Sequence, residues 1–234
     1  MTLQRSSLGL QQIALLEGLS AERLDRLAQH CHWKSLPAGT PLLMRSERNS
    51  DVYFLVSGAL RVTSYSANGR QVTFRDPQEG EHFGDIAAID GQPRSADVVT
   101  LTPTVVARMD RGAFLGLLRD EPVVAERVMR GLAALVRQLS DRVIDLSTLG
   151  VQNRVHAELL RLARLAGAID NRARLEPSPT HADLASRIGT NREQVTRELN
   201  ALRREGLLAK DGKALVVPDV ARLAALVAEV RGFA

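Results

Sequence analysis

Residues 180–217 read THADLASRIGTNREQVTRELNALRREGLLAKDGKALVV. Thr180-His181-Ala182-Asp183 has the form of a helix start. Ala182, Leu184, Ala185 and Ile188 continue it at helical spacing, and Gly189 closes it. A second helix begins near Thr190-Asn191, carries Val195, Leu199 and Leu202 on one face, and ends at Gly206. Leu207-Leu208-Ala209, the polar turn Lys210-Asp211-Gly212-Lys213 and Ala214-Leu215-Val216-Val217 then read as a small hairpin. Two short helices joined by a glycine-containing turn and followed by a hairpin predict a winged helix-turn-helix.

The chemistry of the second helix supports a nucleic-acid role. Val195, Leu199 and Leu202 form its buried face, so Arg192, Glu193, Thr196 and Arg197 lie on the opposite arc near the N-terminal end. That is the end of a recognition helix that enters the major groove. An arginine donates two parallel hydrogen bonds to guanine O6 and N7, and a glutamate accepts from cytosine N4. The helix N-terminus, with Thr190, Arg187 or Lys213, is placed to meet phosphates. Arginine and glutamate on a solvated face are common in any helix. The preceding helix, the turn glycine and the wing give this pair its meaning.

Outward from this unit, residues 151–167 predict one further helix and 170–179 a loop, with no strand-rich stretch before 207. Gly150 interrupts the chain just upstream and is a candidate hinge. Residues 112–149 are helical in spacing. Val128, Leu132, Leu135, Leu139, Val143, Leu146 and Leu149 follow at steps of 4, 3, 4, 4, 3 and 3. Such a long, narrow stripe predicts the seam of a parallel dimer rather than a helix packed only on its own domain.

From about 36 to 110 prolines and glycines punctuate short apolar runs at 52–56, 59–65, 71–75, 95–101 and 104–109. This spacing predicts an antiparallel barrel or sandwich. Asn68-Gly69 predicts a tight hairpin with both residues at positive φ. Residues 8–33 read helical through Leu10, Ile13, Leu16, Leu24, Leu27, Ala28 and Cys31, with Ser20 as an N-cap between two pieces. The fold class is therefore α+β: an N-terminal antiparallel β-barrel over 1–111, a dimerisation helix and hinge over 112–150, and a winged helix-turn-helix over 151–234.

Composition bounds the function classes. The 234 residues are 44% hydrophobic and 25% charged, which fits a globular chain and excludes a disordered or collagen-like one. No stretch approaches the roughly 18 apolar residues of a membrane span, and no apolar segment behind the N-terminus predicts a signal peptide. One cysteine, Cys31, excludes an internal disulfide or a four-cysteine metal site. A cytoplasmic location fits. Residues 1–149 hold 17 basic and 17 acidic side chains, and 150–234 hold 14 against 10. The whole net charge of +4 therefore lies in the last third, where an anionic partner is expected.

Residues 180–217 resemble the DNA-binding domain of the cyclic-AMP receptor protein and fumarate–nitrate regulator (CRP/FNR) family of bacterial transcription factors. The resemblance extends back over barrel, long helix and hinge. Arg192-Glu193-x-x-x-Arg197 matches the branch that reads TGTGA-like half-sites, and Glu193-x-x-Thr196-Arg197 partly fits the other branch. The resemblance implies double-stranded DNA, a second copy of the chain and RNA polymerase as partners, with no membrane.

A second stretch, Gly80-Glu81-His82-Phe83-Gly84-Asp85-Ile86-Ala87-Ala88-Ile89 and then Gly91-Gln92-Pro93-Arg94-Ser95-Ala96, resembles the phosphate-binding cassette of cyclic-nucleotide-binding domains. Gly84 lets backbone approach a ligand closely. The short helix after it offers amide groups to a phosphate, Arg94 a charged fork and Ser95 a hydroxyl. Phe83, Gly84, Asp85, Ile86, Ala87, Arg94, Ser95 and Ser140 form the expected ligand-binding set. The chain departs from the family pattern in three places. Asp85 stands where a ribose-binding Glu is usual, Leu139-Ser140 where a Thr–Ser pair reads adenine, and Ser46 where a turn glycine is commoner.

The expected effector is a cyclic nucleotide, cyclic AMP ahead of cyclic GMP, with cyclic di-GMP, another signal or no ligand as alternatives. No cofactor is required. His30, His32, His82, His156 and His181 show no metal spacing, Cys31 sits on an apolar helical stripe and reads as core, and no nucleophile–base pair suggests an enzyme. A regulatory subunit whose C-terminal helices contact protein is the competing class. Steep salt dependence separates DNA binding from it.

Overall fold

The computed structural model describes residues 7–231. It divides into two compact units, one ending at Leu135 and the other beginning at Val136.

The first unit opens with α1 (Ser7–Gln11), a 3₁₀ turn at Ala14–Leu16 and α2 (Ala21–Gln29). Ser20 caps α2 by accepting from Arg23 N at 3.2 Å, as its hydroxyl predicts. Eight strands follow: β1 (Cys31–Leu36), β2 (Pro41–Leu43), β3 (Val52–Ser57), β4 (Leu60–Tyr65), β5 (Gln71–Arg75), β6 (His82–Phe83), β7 (Asp97–Thr100) and β8 (Thr104–Met109). A single short helix, α3 (Asp85–Asp90), interrupts them between β6 and β7. Two helices come next, α4 (Arg111–Asp120) and α5 (Pro122–Thr148).

The strands form two antiparallel four-stranded sheets, ordered β1-β8-β3-β6 and β2-β7-β4-β5. They remain separate sheets, so the structure is the sandwich form of the expected barrel, without closure by ladder hydrogen bonds. β3 is buried on both faces, which explains its unbroken apolar run. Tyr53 and Leu55 face Leu60, Phe83, Val98 and Val106 in a core shared by the two sheets. Val52, Phe54 and Val56 face the helices, against Leu10, Leu24, Phe114, Leu117 and Val128. Each such fully buried side chain contributes roughly 1.5–3 kcal/mol through area removed from water.

Three local expectations are corrected here. The first helical segment ends at Gln29, and Cys31 begins β1 opposite Met109, so the cysteine is core in a strand rather than on a helix. The hairpin after β4 is a three-residue loop closed by Ser66 N→Arg70 O at 2.9 Å, with Gly69 at φ +76° and Asn68 in the ordinary region. The 112–149 segment breaks at Glu121, because Pro122 lacks an amide hydrogen and starts a new helix at its first position.

The second unit contains the C-terminal part of α5, then α6 (Val151–Ala166), β9 (Ala168–Ile169), β10 (Arg172–Leu175), α7 (His181–Ile188), α8 (Arg192–Arg204), β11 (Ala209–Asp211), β12 (Ala214–Val217) and α9 (Val220–Arg231). Its sheet runs β11-β12-β10-β9. The β9–β10 hairpin replaces the expected loop. Asp170 and Asn171 both adopt positive φ, +50° and +62°, the conformation of a two-residue hairpin turn that short polar side chains tolerate. Val155, Leu159 and Ala163 of α6, Leu184 and Ile188 of α7, Val195, Leu199 and Leu202 of α8 and Leu215 and Val217 of the wing share one core. Among the described residues no helix is long and apolar enough to cross a membrane.

Candidate functional site

Each unit carries one candidate site. In the first, Gly84 caps α3 at φ +86°, and a Cβ there would lie 2.7 Å from Arg94 Nη1 and 2.9 Å from Asp51 O. Only glycine accepts both the left-handed backbone and the close approach. Arg94 is buried, at 4% exposure. Its Nη1 donates to Gly84 O at 2.8 Å, and Nη2 donates to Asn49 Oδ1 at 2.9 Å and Asp51 O at 2.6 Å. Its Nε–H is buried with no hydrogen-bond partner among the described residues. The guanidinium lies 5.9 Å from the Tyr53 ring centroid, and Tyr53 stacks on Phe83 with centroids 5.3 Å apart.

Burial pushes the Arg94 pKa down, while Tyr53, Asp51, Glu47 and Asp85 oppose the shift. Asp85 faces His82, whose Nε2 lies 3.7 Å from Asp85 Oδ2. Burial alone would raise the Asp85 carboxyl, but the neighbouring His82, the backbone N–H of Asp85 and the charge of Arg75 hold it below the usual range. The structure thus brings Phe83, Gly84, Asp85 and Arg94 together. Ala87 is buried in α3, Ile86 and Ser95 are exposed, and Ser140 belongs to the second unit, where it donates to Val136 O at 2.9 Å. Asn49, Asp51, Tyr53 and His82 were not singled out by sequence reasoning. The first three lie more than 30 residues from the cassette arginine, and no local motif marks them.

In the second unit, a capping box starts α7: Thr180 Oγ1 accepts from Asp183 N at 3.1 Å, and Asp183 Oδ2 accepts from Thr180 N at 3.3 Å. Gly189 ends it in the left-handed conformation, with space for a Cβ restricted by Leu146 Cδ2 at 3.1 Å. Asn191 Oδ1 caps α8 by accepting from Gln194 N at 2.9 Å. Arg192, Glu193 and Arg197 of α8 are exposed, while Val195, Leu199 and Leu202 are buried; Glu193 and Arg197 lie on the side away from them, and Arg192 is exposed at the helix start although its spacing puts it on the Leu199 side. Lys213 is exposed in the wing turn. Thr196 is half-buried; it donates to Arg192 O at 2.8 Å and meets His181 Nδ1 at 2.7 Å.

Two of the expected phosphate contacts face inward. Thr190 is buried and its hydroxyl donates to Gln194 Oε1. The Arg187 side chain is 10% exposed, with Nε 3.7 Å from Glu158 Oε1, a carboxylate that Arg161 also grips at 2.8 and 2.7 Å. The carbonyl of Arg187 accepts from Arg142 Nη2 at 2.6 Å, which ties α5 to α7. Farther along α8, Arg197, Asn200, Arg203 and Arg204 line a shallow groove. Sequence reasoning named only the first of these four, although their spacing continues the outward arc.

The residues expected on an α5 seam differ in exposure within the chain. Val128 is buried in the chain's own core, and Leu132 packs partly on it. Leu135 is half-buried, and Leu149 is buried. Leu139, Val143 and Leu146 are exposed, as are Met129 and Val136, both at 62%. Positions 129, 132, 136, 139, 143 and 146 alternate by three and four. Met and Val therefore occupy one heptad position and Leu the other. Gly150 caps α6 with φ −62° and ψ 162°, joining α5 to α6 across two residues.

The family model of the cyclic nucleotide-binding domain matches residues 33–121, and that of the Crp-like helix-turn-helix domain matches 153–226. The chain is 26% identical over 216 residues to the CRP-like cAMP-activated global transcriptional regulator of Mycobacterium tuberculosis, covering 92% of this chain and 96% of the relative. It is similar to the catabolite activator protein of Thermus thermophilus at 28% identity and a TM-score of 0.53, over 92% of this chain and 99% of that one. It shares the fold of the c-di-GMP responsive global regulator CLP of Xanthomonas campestris at 22% identity and a TM-score of 0.72, over 85% and 99% of the two chains.

Proposed function

The chain belongs to the CRP/FNR family of transcriptional regulators, and from that membership we propose that it acts as a homodimer whose two α8 helices read a pseudo-palindromic, TGTGA-like site under control of a cyclic nucleotide, cyclic AMP first. Sensing is assigned to residues 1–111, dimerisation and hinge to 112–150, and DNA binding to 151–234. The observation that carries the reading is the doubly capped α7–Gly189–α8 unit with Arg192, Glu193 and Arg197 exposed on α8. Arg192 and Arg197 donate to guanine, Glu193 accepts from cytosine, and Lys213 in the wing meets backbone phosphate. Val at one heptad position and Leu at the other suit a parallel two-stranded seam, which sets half-sites about 34 Å apart. RNA polymerase is the partner expected of such a regulator.

The effector works only through its different affinity for two arrangements of the dimer. A shift of α5 reaches the reader through the Arg142 bond to Arg187 O and through Leu146, whose Cδ2 restricts the space beside Gly189, both within the second unit. Gly150 takes up the change in direction. The name of the Mycobacterium tuberculosis relative, cAMP-activated, supports cyclic AMP as the first candidate. A second reading, in which the cassette keeps its shape without a nucleotide, is favoured by one observation. Arg94 already commits three hydrogen bonds to Gly84, Asp51 and Asn49, so a phosphate must compete for it.

Selection of bound duplexes from a random-sequence pool, with and without cyclic AMP, cyclic GMP and cyclic di-GMP, tests both points. Enrichment of a two-fold site that deepens with cyclic AMP is expected. No enriched site overturns the DNA reading. A site indifferent to all three nucleotides leaves the second reading in place of the first.

A further inference from the structure

The hydroxyl of Thr196 has one hydrogen and two neighbours: Arg192 O at 2.8 Å and His181 Nδ1 at 2.7 Å. If the hydrogen pointed to the imidazole, two oxygen lone pairs would face each other across the first of these contacts. With the hydrogen on Arg192 O, a common helical back-bond, both contacts are satisfied only when Nδ1 carries a hydrogen and donates to Thr196. The tautomer of His181 is thereby fixed. Its other ring nitrogen, Nε2, has no hydrogen-bond partner among the described residues and is not enclosed.

The charges around this ring are of one kind. Arg192 and Arg203 of α8 face it, and both disfavour a further positive charge. The acid on its own helix, Asp183, is engaged by Thr180. On α6, Glu158 is taken by Arg161 and Arg187 at the far end of α7. Burial first, then Arg203 and Arg192, hold the imidazole pKa below its ordinary value, so the free protein presents Nε2 unprotonated near neutral pH. In a helix-turn-helix the first helix crosses the DNA backbone while the second enters the groove. His181 opens that first helix and touches the second between Arg192 and Arg197.

We propose that His181 is a proton-dependent phosphate contact: as the duplex backbone docks on α7 and α8, Nε2 takes up and keeps a proton from solvent and, as N–H, donates a hydrogen bond to a phosphate oxygen, so DNA binds more tightly as pH falls. The proposal rests on the DNA-binding reading of α7 and α8 and adds a residue and a proton to it. The phosphate supplies the negative charge that the surroundings lack, which reverses the balance against the imidazolium. A phosphate contact carries no sequence information, so the effect belongs to binding in general rather than to one site.

The test is fluorescence anisotropy of the full chain with a labelled mixed-sequence duplex, from about pH 8 to about pH 6 at fixed salt. Wild-type affinity is expected to rise about three- to tenfold per recognition helix as one proton is taken up. His181→Asn keeps a donor for Thr196 but cannot ionise, and should hold the alkaline affinity throughout. The salt dependence of wild type should also steepen on acidification by about one counterion per helix, and that of the variant should not. In parallel, the wild-type imidazole is titrated by NMR with and without duplex; its pKa should rise on binding. Equal pH slopes in the two proteins, or an imidazole pKa unmoved by duplex, overturn the proposal while the DNA reading stands. Failure of wild type to bind duplex at any pH overturns both.

Discussion

Arg94 donates to the carbonyl oxygen of Gly84 at 2.8 Å, the same residue whose missing Cβ leaves room for that guanidinium. The cassette glycine and the cassette arginine are two halves of one packing arrangement. Gly84→Ala is expected to destabilise the first unit by about 2 kcal/mol or more. Left-handed backbone costs an L-residue roughly 1–2 kcal/mol, and the new methyl meets Arg94 besides. A lower urea midpoint with an unchanged slope measures it, and a midpoint within error of wild type would refute the account.

Arg94→Ala removes the guanidinium donor from Gly84 O, Asp51 O and Asn49 Oδ1, although Asn49 Oδ1 still accepts from Asp51 N at 2.9 Å and Gly84 O from Ala88 N at 3.4 Å. A loss of about 2–4 kcal/mol is expected, together with loss of any effector-dependent DNA binding. The dimer should persist, because its proposed seam is on α5. Melting, sedimentation and a footprint with cyclic AMP read the three consequences separately.

Val136 and Val128 are both apolar residues of α5, yet they face different surroundings: Val136 is 62% exposed and Val128 is 3% exposed. Val136→Glu is therefore expected to dissociate the dimer and leave each chain folded. Val128→Glu buries an unpaired carboxylate and should unfold the first unit. Sedimentation equilibrium and circular dichroism distinguish these outcomes, and the reverse pattern would place the seam back on the Val128 face.

Arg192→Ala and Arg197→Ala should each weaken the selected site by about 1–3 kcal/mol and relax preference at one base pair. Lys213→Ala should weaken all duplexes alike and reduce the salt slope by about one. Competition binding against single-base variants separates the two behaviours.

His156 on α6 is buried, and its Nε2 has no hydrogen-bond partner among the described residues. Burial pushes its pKa down, with Glu198 and Glu205 opposing. The folded state therefore favours the neutral ring. Stability of the second unit should be level above about pH 6.5, where the unfolded chain is neutral too, and fall as pH drops below that value. His156→Leu should remove this part of the acid dependence. Urea melts at several pH values check it.

The parts of the protein that follow from local chemistry were legible in the sequence. Thr180 and Gly189 bracket α7 as caps should, and Glu193 and Arg197 are exposed as their spacing requires. The apolar stripe of α5 was legible, but not which of its residues stay exposed. Val128 and Met129 are neighbours on a helix that is apolar on two adjacent faces, one turned to its own core and one open. Periodicity finds the stripe but does not say which flank the domain covers. The partners of Arg94 were beyond reach for another reason. Asn49 and Asp51 come from a loop 43–45 residues upstream and act partly through main-chain oxygen, which no side-chain pattern encodes. β9 and β10 escaped because two- and four-residue strands leave almost no alternation to read.

Arg142 donates to α7 at a main-chain oxygen, that of Arg187. Every amino acid supplies that oxygen, so replacements at position 187 leave the acceptor in place. Replacement at position 142 removes the donor in a single step. The tie is thus robust to genetic drift at one end and fragile at the other, and a single codon carries the whole mutational burden of keeping it.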